Sequence, residues 1–370
     1  MKLKEKDILA ILEGASFLAG GGGGACKDAH ILLEAFKEKY PKEPIEIDLI
    51  SIEEMEDEKK TAGIAVMGAP TGGTNLDITP CIVNAFEKLK SYEKEVTISY
   101  TLPLELGGFN TFVPILISLI EKNPMIDADC CGRAVPGLDT TLAYINGCTT
   151  GPIVMADTDN DTVILDIQDN HDAEKLEQLA LPIVEQFHQN AGIAGWMYTK
   201  KDMHGNIPEK TISLCLHIGR IIMEKEKNIF HALQTQIGIK SRCIANKFQI
   251  KDFHSEQSGG WDIGTIELSD DKEVYFVAFT NENLALFKSV EGKKQIVATV
   301  PDIITLYDTN EHKVLTNEDL MELYHKNTLF AHTVSVGVVR ADELWYQKNT
   351  DGIWDTYFDL IHYQEGVFTI

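Results

Sequence analysis

Three passages of the chain repeat one order: a short apolar run that reads as a buried strand, a loop rich in glycine or aspartate, then a stretch with helical spacing. The loops are Gly68-Ala69-Pro70-Thr71-Gly72-Gly73-Thr74-Asn75, Glu105-Leu106-Gly107-Gly108-Phe109-Asn110 and Asp127-Ala128-Asp129-Cys130-Cys131-Gly132-Arg133. They follow AGIAVMGAP, VTISYTLP and PMIDAD, and the earlier run IEIDLI adds a fourth strand. This alternation predicts a mainly parallel sheet with helices on its faces, because parallel neighbours need a crossover long enough to hold a helix. In such a sheet the strand-to-helix loops all emerge at the carboxyl edge, where ligands bind. Ahead of them, Ile8, Ile11, Leu12, Ala15 and Leu18 recur at helical spacing and the pattern stops at Gly20–Gly24. A second helix is expected from Lys27 towards Lys39, before Pro41.

Further helices are expected near 172–190 and 209–226. From about Ser241 the texture changes to short β-rich runs such as GTIELS, EVYFVAFT and HTVSVGVV, with turn signals at Ser258-Gly259-Gly260 and Asp308-Thr309-Asn310. The chain therefore reads as two domains: an α/β domain with a mainly parallel sheet over residues 1–168, and a β-rich (α+β) domain over 169–370. The β-rich part offers several strand edges, which makes a homo-oligomer the expectation.

Charge narrows the partners. Thirty-three Lys and Arg against 57 Asp and Glu leave a net charge of −24. With no basic stripe to offset it, nucleic acid and anionic membrane surfaces are excluded as non-specific partners. The opening MKLKEKDILAILEGASFLAGGGGG is basic and then apolar, but Glu13 and Gly14 interrupt the apolar part. It reads as an amphipathic helix rather than a secretion signal. Seven cysteines without metal-ligand spacing fit reduced thiols and a cytoplasmic location.

The three loops place Glu105, Asp127, Asp129, Asn110 and Arg133 at one sheet edge, where glycines such as Gly108 let backbone approach a ligand closely. Asp127-x-Asp129 suits a general base or a divalent metal. It equally suits a helix cap and an ion pair with Arg133. Gly22, Gly23 and Gly24 could cradle a ligand, although the run lacks the P-loop lysine and no strand precedes it; a helix stop and tight turn is the other reading. Cys26 lies near a helix start, which lowers a thiol's pKa, or is a buried inert thiol. Adjacent Cys130 and Cys131 do not by themselves make a zinc site. Asn281-Glu282-Asn283 either faces the cleft between domains or forms a hairpin turn.

The motifs AGGGGG, GAPTGG, ELGGFN, DADCCGRAVP, FTNENL and ATVPDIITLYDT occur in an order that resembles the S-methyl-thiohydantoin desulfurase-like family across nearly the whole chain. The resemblance implies an α/β domain followed by a β-rich one. It also implies hydrolytic loss of a sulfur substituent from a five-membered thiohydantoin ring, leaving a hydantoin. Glu105, Asp127 and Asp129 are then the catalytic candidates, with Asp127 and Asp129 as ligands if one divalent metal is used. Gly22, Gly23, Gly24, Thr71, Gly108, Asn110, Arg133, Asn281 and Glu282 are the substrate-binding candidates. An Asp/Glu/Asn set would suit magnesium or manganese, and recruitment of cysteine or histidine would suit zinc. The sequence departs from the family at three places. Gly137 stands where a glutamate closes GRAFPE, Gly72-Gly73-Thr74 lacks a glutamate after GAPT, and Cys130-Cys131 replaces a Gly-Met-like pair. The missing glutamates leave a second expectation open, a non-catalytic partner or ligand-binding subunit of a hydantoinase- or oxoprolinase-type enzyme.

Overall fold

The computed structural model describes residues 1–68, 77–94, 96–226, 228–258, 261–347, 350 and 352–370. Two eight-stranded sheets organise the chain. In spatial order the first contains Lys2–Lys4, Glu46–Ile50, Met125–Ile126, Ile98–Pro103, Lys60–Met67, Ala191–Gly195, Ile153–Ala156 and Thr162–Leu165. The four strands legible in the sequence form its centre and pair in parallel. Both flanks are antiparallel.

The sheet is thus mixed, parallel only in its core, which corrects the mainly parallel expectation. The physical reason is connection length. Ile153–Ala156 and Thr162–Leu165 are joined by a tight turn with Asn160 at φ 72°, and a hairpin requires no helical crossover. Ala191–Gly195 lies beyond residue 168 in the chain, yet it inserts beside Lys60–Met67 and completes the first sheet.

The second sheet runs Lys293–Thr299, Glu282–Val290, Val274–Thr280, Trp261–Ser269, Ser241–Ser258, Thr333–Val339, Ile303–Asp308 and Lys313–Leu315. Every pairing in it is antiparallel. Its inner residues, among them Phe253, Ile266, Val277, Leu286 and Val336, form one core. That alternation of inward apolar and outward polar residues is what a sheet covered on one face requires. Among the described residues no helix is long and apolar enough to cross a membrane.

The helix Glu5–Ala19 joins the two parts. Its Leu18 packs in one core with Ile303 and Tyr307 of the second sheet, while Ile8 and Ile11 share that core with Ile218 and Ile222 of the helix Thr211–Met223. The two helices cross antiparallel at two glycines. A Cβ on Gly14 would stand 1.9 Å from the Cys215 carbonyl oxygen, and one on Gly219 would stand 1.6 Å from that of Ala10. Neither position has room for a methyl group, so Gly219→Ala must push the helices apart. We expect it to lower unfolding free energy by at least the ~1–3 kcal/mol typical of an overpacked core, read from the urea midpoint. The crossing matters because the first helix ends at Gly20, in the left-handed conformation at φ 66°, and hands the chain to the glycine run at the seam between the sheets.

Candidate functional site

Because Ile98–Pro103 and Met125–Ile126 are parallel neighbours, the loops beginning at Glu105 and Asp127 leave the same edge of the first sheet. Only one of them delivers its carboxylate to the seam. Glu105 is half-buried; its Oε1 accepts from Asn110 Nδ2 at 2.8 Å and its Oε2 from the Val135 N–H at 2.8 Å. Asn110 Oδ1 in turn accepts from the Val66 N–H at 3.2 Å, so both ends of that amide are used to orient Glu105. Burial pushes the Glu105 carboxyl up to about 7, against the pull of these hydrogen bonds and of Arg133.

Arg133 is fully buried. Its Nε donates to the Ala134 carbonyl at 2.9 Å, and its Nη1 donates to Pro301 O at 2.6 Å and Asp302 O at 3.1 Å. Its guanidinium carbon lies 5.6 Å from the ring centre of Trp354. Nη2 has no partner. Burial lowers Arg133 to about 10, opposed most strongly by the nearby Glu282. Glu282, on the second sheet, is 3% exposed, and its Oε2 also lacks a partner among the described residues. Burial raises its carboxyl well above the ordinary range; the Glu105 charge adds to this and Arg133 opposes it. The three groups make one buried unit of two carboxyls and one guanidinium drawn from both domains.

The glycine run closes this unit from one side. A Cβ on Gly22 would stand 2.0 Å from Glu282 Oε1, and one on Gly21 would stand 2.8 Å from both Asn283 Nδ2 and Asn317 Nδ2. Backbone fixes the run in place. Gly20 O accepts from the Asn283 N–H, Gly21 O from Asn317, and Gly23 O from Phe109 and Asn110. Among the described residues, the N–H groups of Gly22, Gly23 and Gly24 donate to no backbone acceptor. Asn283 Oδ1, Asn317 Oδ1 and Trp354 Nε1 are buried and unpartnered as well. A buried polar atom left unpaired is costly, and so many around one guanidinium mark a place where a polar ligand or water completes the network.

The sequence-predicted residues divide accordingly. Glu105, Asn110, Arg133, Glu282 and the run Gly22–Gly24 come together. Gly108 packs on a helix start instead, since a Cβ there would lie 2.8 Å from the Cys26 nitrogen and 2.3 Å from Ser16 Oγ. Asn281 is the turn residue of its hairpin, at φ 55°, and its Oδ1 accepts from the Asp262 N–H at 2.9 Å. Its backbone carbonyl accepts from Asn317 Nδ2 at 2.7 Å, which places this turn beside the cluster. Thr71 and the rest of residues 69–76 lie outside the described residues.

Asp127 and Asp129 do not join the seam cluster. Asp127 Oδ1 accepts from the Ser213 N–H at 2.8 Å and Oδ2 from Ser213 Oγ at 2.5 Å, which fastens the first turn of the helix Thr211–Met223. Asp129 Oδ2 accepts from the N–H groups of Cys131 and Gly132 at 2.8 and 2.7 Å. Its buried carboxyl is raised to about 7, mainly by desolvation. Among the described residues no three His, Cys, Asp or Glu side chains gather as a metal cage. Asp127 has both oxygens engaged, Asp129 keeps a buried Oδ1 without a partner among the described residues, and no third such donor joins the pair, so no chemical step is routed through a divalent ion. Replacing Asp127 with Ala should cost ~0.5–2 kcal/mol of stability, as loss of a helix cap does, while leaving turnover unchanged. Urea midpoints together with an activity assay would check both parts.

Burial holds the Cys26, Cys130 and Cys131 thiols well above the thiolate-forming range. Cys131 Sγ donates to Leu104 O, and Cys26 Sγ lies 3.1 Å from Ser16 Oγ.

Family models match the two parts in sequence order. The S-Me-THD-like N-terminal domain matches residues 6–167 and the S-Me-THD-like C-terminal domain matches residues 170–353. The chain belongs to the S-Me-THD-like family. An X-ray crystal structure of a protein from Chromobacterium violaceum shares the fold, with a TM-score of 0.81 at 23% sequence identity, over 100% of both chains. Among curated proteins none matches. Within the S-Me-THD-like match, Glu105, Asn110 and Arg133 fall in the N-terminal domain, and Glu282, Asn283 and Asn317 in the C-terminal one. Trp354 lies one residue beyond it.

Sequence reasoning missed Asn283, Asn317 and Trp354 as members of this cluster. Asn283 stood in a triplet already singled out, and its place beside Glu282 within a strand was the available signal. Asn317 follows a helix N-cap threonine and Trp354 is an isolated aromatic; neither pattern signals a site.

Proposed function

We propose that the protein is a hydrolase of a small five-membered cyclic amide or S-substituted thiohydantoin, with Glu105 and Glu282 handling protons on either side of Arg133. The observation that carries this reading is the buried Glu105–Arg133–Glu282 unit, with Arg133 Nη2 and Glu282 Oε2 both left without partners. Two carboxyls in unequal surroundings are the usual means of keeping one acid protonated while its neighbour ionises. Here burial raises both carboxyls, and at Glu282 the Glu105 charge adds to the rise.

For an S-methyl-thiohydantoin, Glu105 takes a proton from the attacking water as its oxygen bonds to the ring carbon that carries sulfur. Arg133 Nη2 stabilises the negative charge that develops on the ring. Glu282 gives its proton to the departing sulfur as the carbon–sulfur bond breaks. Methanethiol leaves, the second water proton passes to the ring nitrogen so that the ring remains as hydantoin, and Glu282 regains the proton that Glu105 gathered. Asn283 Oδ1 and Asn317 Oδ1 offer acceptors for ring N–H groups, and the glycine N–H groups offer donors to a ring carbonyl. No redox partner is needed, because water supplies every atom gained.

The test is methanethiol release from an S-methyl-thiohydantoin, followed with a thiol reagent, with hydantoin identified by mass spectrometry. Release in equal amounts with hydantoin supports the reading. If the protein instead binds the ring without turning it over, the hydrolase reading fails and the ligand-binding role takes its place.

A further inference from the structure

Arg133 grips two successive carbonyls, those of Pro301 and Asp302, with Nη1 alone, and its Nη2 has no partner among the described residues. Where Nη2 stands therefore depends on what holds that pair of carbonyls. The Asp302 side chain is fully buried and accepts from three donors. Its Oδ1 takes the Ala341 N–H at 3.2 Å and the Tyr346 hydroxyl, and its Oδ2 takes the Ile370 N–H at 2.7 Å. A carboxylate suits this place, because it only accepts; an amide would set a donor of its own against one of the three.

The segment that supplies the Tyr346 hydroxyl also reaches the loop that carries Arg133. Tyr346 belongs to the short helix Leu344–Gln347, and the residue before it, Trp345, donates from Nε1 to the Cys131 carbonyl at 2.9 Å, two residues ahead of Arg133. One turn of helix thus braces both the loop that presents the guanidinium and the turn that receives it. The Arg340 guanidinium carbon lies 3.7 Å from the ring centre of Tyr346 and packs against that ring.

We infer that Asp302 is a positioning residue for Arg133: its buried carboxylate, held by donors from Ala341, Tyr346 and Ile370, fixes the two carbonyls that Nη1 grips and so sets where the free Nη2 stands. A carboxylate that accepts several hydrogen bonds is held in one geometry, and a guanidinium is a planar fork, so fixing Nη1 fixes Nη2. The charge of Asp302 acts in the same direction, since after Glu282 it most favours the ionised guanidinium. For catalysis the consequence rests on the hydrolase reading, in which Nη2 meets charge that develops on the ring. The placement of Arg133 does not rest on it.

That placement is read without substrate, by heteronuclear NMR of isotopically labelled intact protein. The arginines of the chain are Arg133, Arg220, Arg242 and Arg340, so the Arg133 Nε–H is one of few side-chain signals of its kind. Its exchange with water is compared with that of the Ile218 amide, whose residue is buried in the core of the helix Thr211–Met223. Asp302→Asn should speed the Arg133 exchange about tenfold beyond any change at Ile218, the size of a lost hydrogen bond to a charged group. Tyr346→Phe, which removes one of the three donors and leaves the carboxylate in place, should speed it about threefold. Equal acceleration at Arg133 and Ile218 would mean that Asp302 supports the fold as a whole and would overturn the inference, as would an Arg133 signal unchanged in both variants. In methanethiol release both variants should lower kcat more than they raise KM, Asp302→Asn by about tenfold, because a displaced Nη2 is missed chiefly in the transition state. A wild-type protein without turnover would end the hydrolase reading and leave the exchange comparison to decide the role of Asp302, so the two fail separately.

Discussion

Arg133→Met should lower the unfolding free energy by ~3–5 kcal/mol, the cost seen when one partner is removed from a buried charged network. The side chain holds three carbonyls, those of Ala134, Pro301 and Asp302, and so ties the loop after Met125–Ile126 to the segment preceding Ile303–Asp308. Methionine has comparable length and apolar character, so loss of volume is not the main effect. Three acceptors lose their donor, and Glu282 loses a cation that opposes its burial. Arg133→Lys should fall between the two proteins, since an ammonium restores the charge but cannot present the planar fork to two carbonyls while stacking on Trp354. Urea unfolding of all three proteins at pH 7 is the measurement. A methionine variant within 1 kcal/mol of wild type would mean that the guanidinium is not the bond between the domains described above.

The central architecture was legible because it is written locally. Each parallel strand is a short apolar run followed by a loop, and spacing alone reveals it. The antiparallel flank was not, since Ile153–Ala156 and Thr162–Leu165 are four-residue strands with no distinctive composition. The site divides in the same way. Glu105, Asn110 and Arg133 were found because they share loops at one sheet edge. Asp127-x-Asp129 was found for the same reason and assigned a chemical role, yet Asp127 caps a helix more than eighty residues further along the chain. Spacing cannot separate those uses, because a carboxylate at a strand end is equally placed for either.

Gly137 shows the converse. The family resemblance led to the expectation of a glutamate there, and its absence weakened the case for catalysis. In the structure a Cβ at 137 would meet Tyr357 Oη at 2.1 Å, Asp139 Oδ1 at 2.7 Å and Glu177 Oε2 at 2.9 Å. The space belongs to other acidic groups. Glu177 accepts from the Leu138 N–H at 2.8 Å and is raised to about 8 by burial. The loss of one acid from the motif is thus accompanied at the same place by Asp139, two residues along, and by Glu177 from a distant helix, which no reading of the motif alone can detect.

Glu282→Gln should reduce methanethiol release by ~10²–10⁴-fold while raising thermal stability at pH 8, an opposition that a purely structural glutamate would not produce. The stability half follows from linkage. The Glu282 carboxyl is raised by burial, so the folded state holds its proton more tightly than the unfolded chain does, and ionisation weakens the fold as pH rises above the ordinary glutamate range. Glutamine removes that liability. It sacrifices no hydrogen bond at Oε2, which has no partner among the described residues. The melting temperatures of the two proteins should therefore coincide near pH 4 and diverge in favour of the variant at pH 8. The activity half follows from position, since an amide cannot donate the proton that the leaving sulfur requires. Glu105→Gln should lose comparable activity by removing the base instead. In the wild type the rate should rise with pH through about 7 as Glu105 ionises, and fall again at higher pH as Glu282 gives up its proton. Glu105→Gln should lose the rising limb and Glu282→Gln the falling one. A glutamine variant at 282 that is less stable at every pH, or one that keeps wild-type turnover, would remove Glu282 from the acid's role.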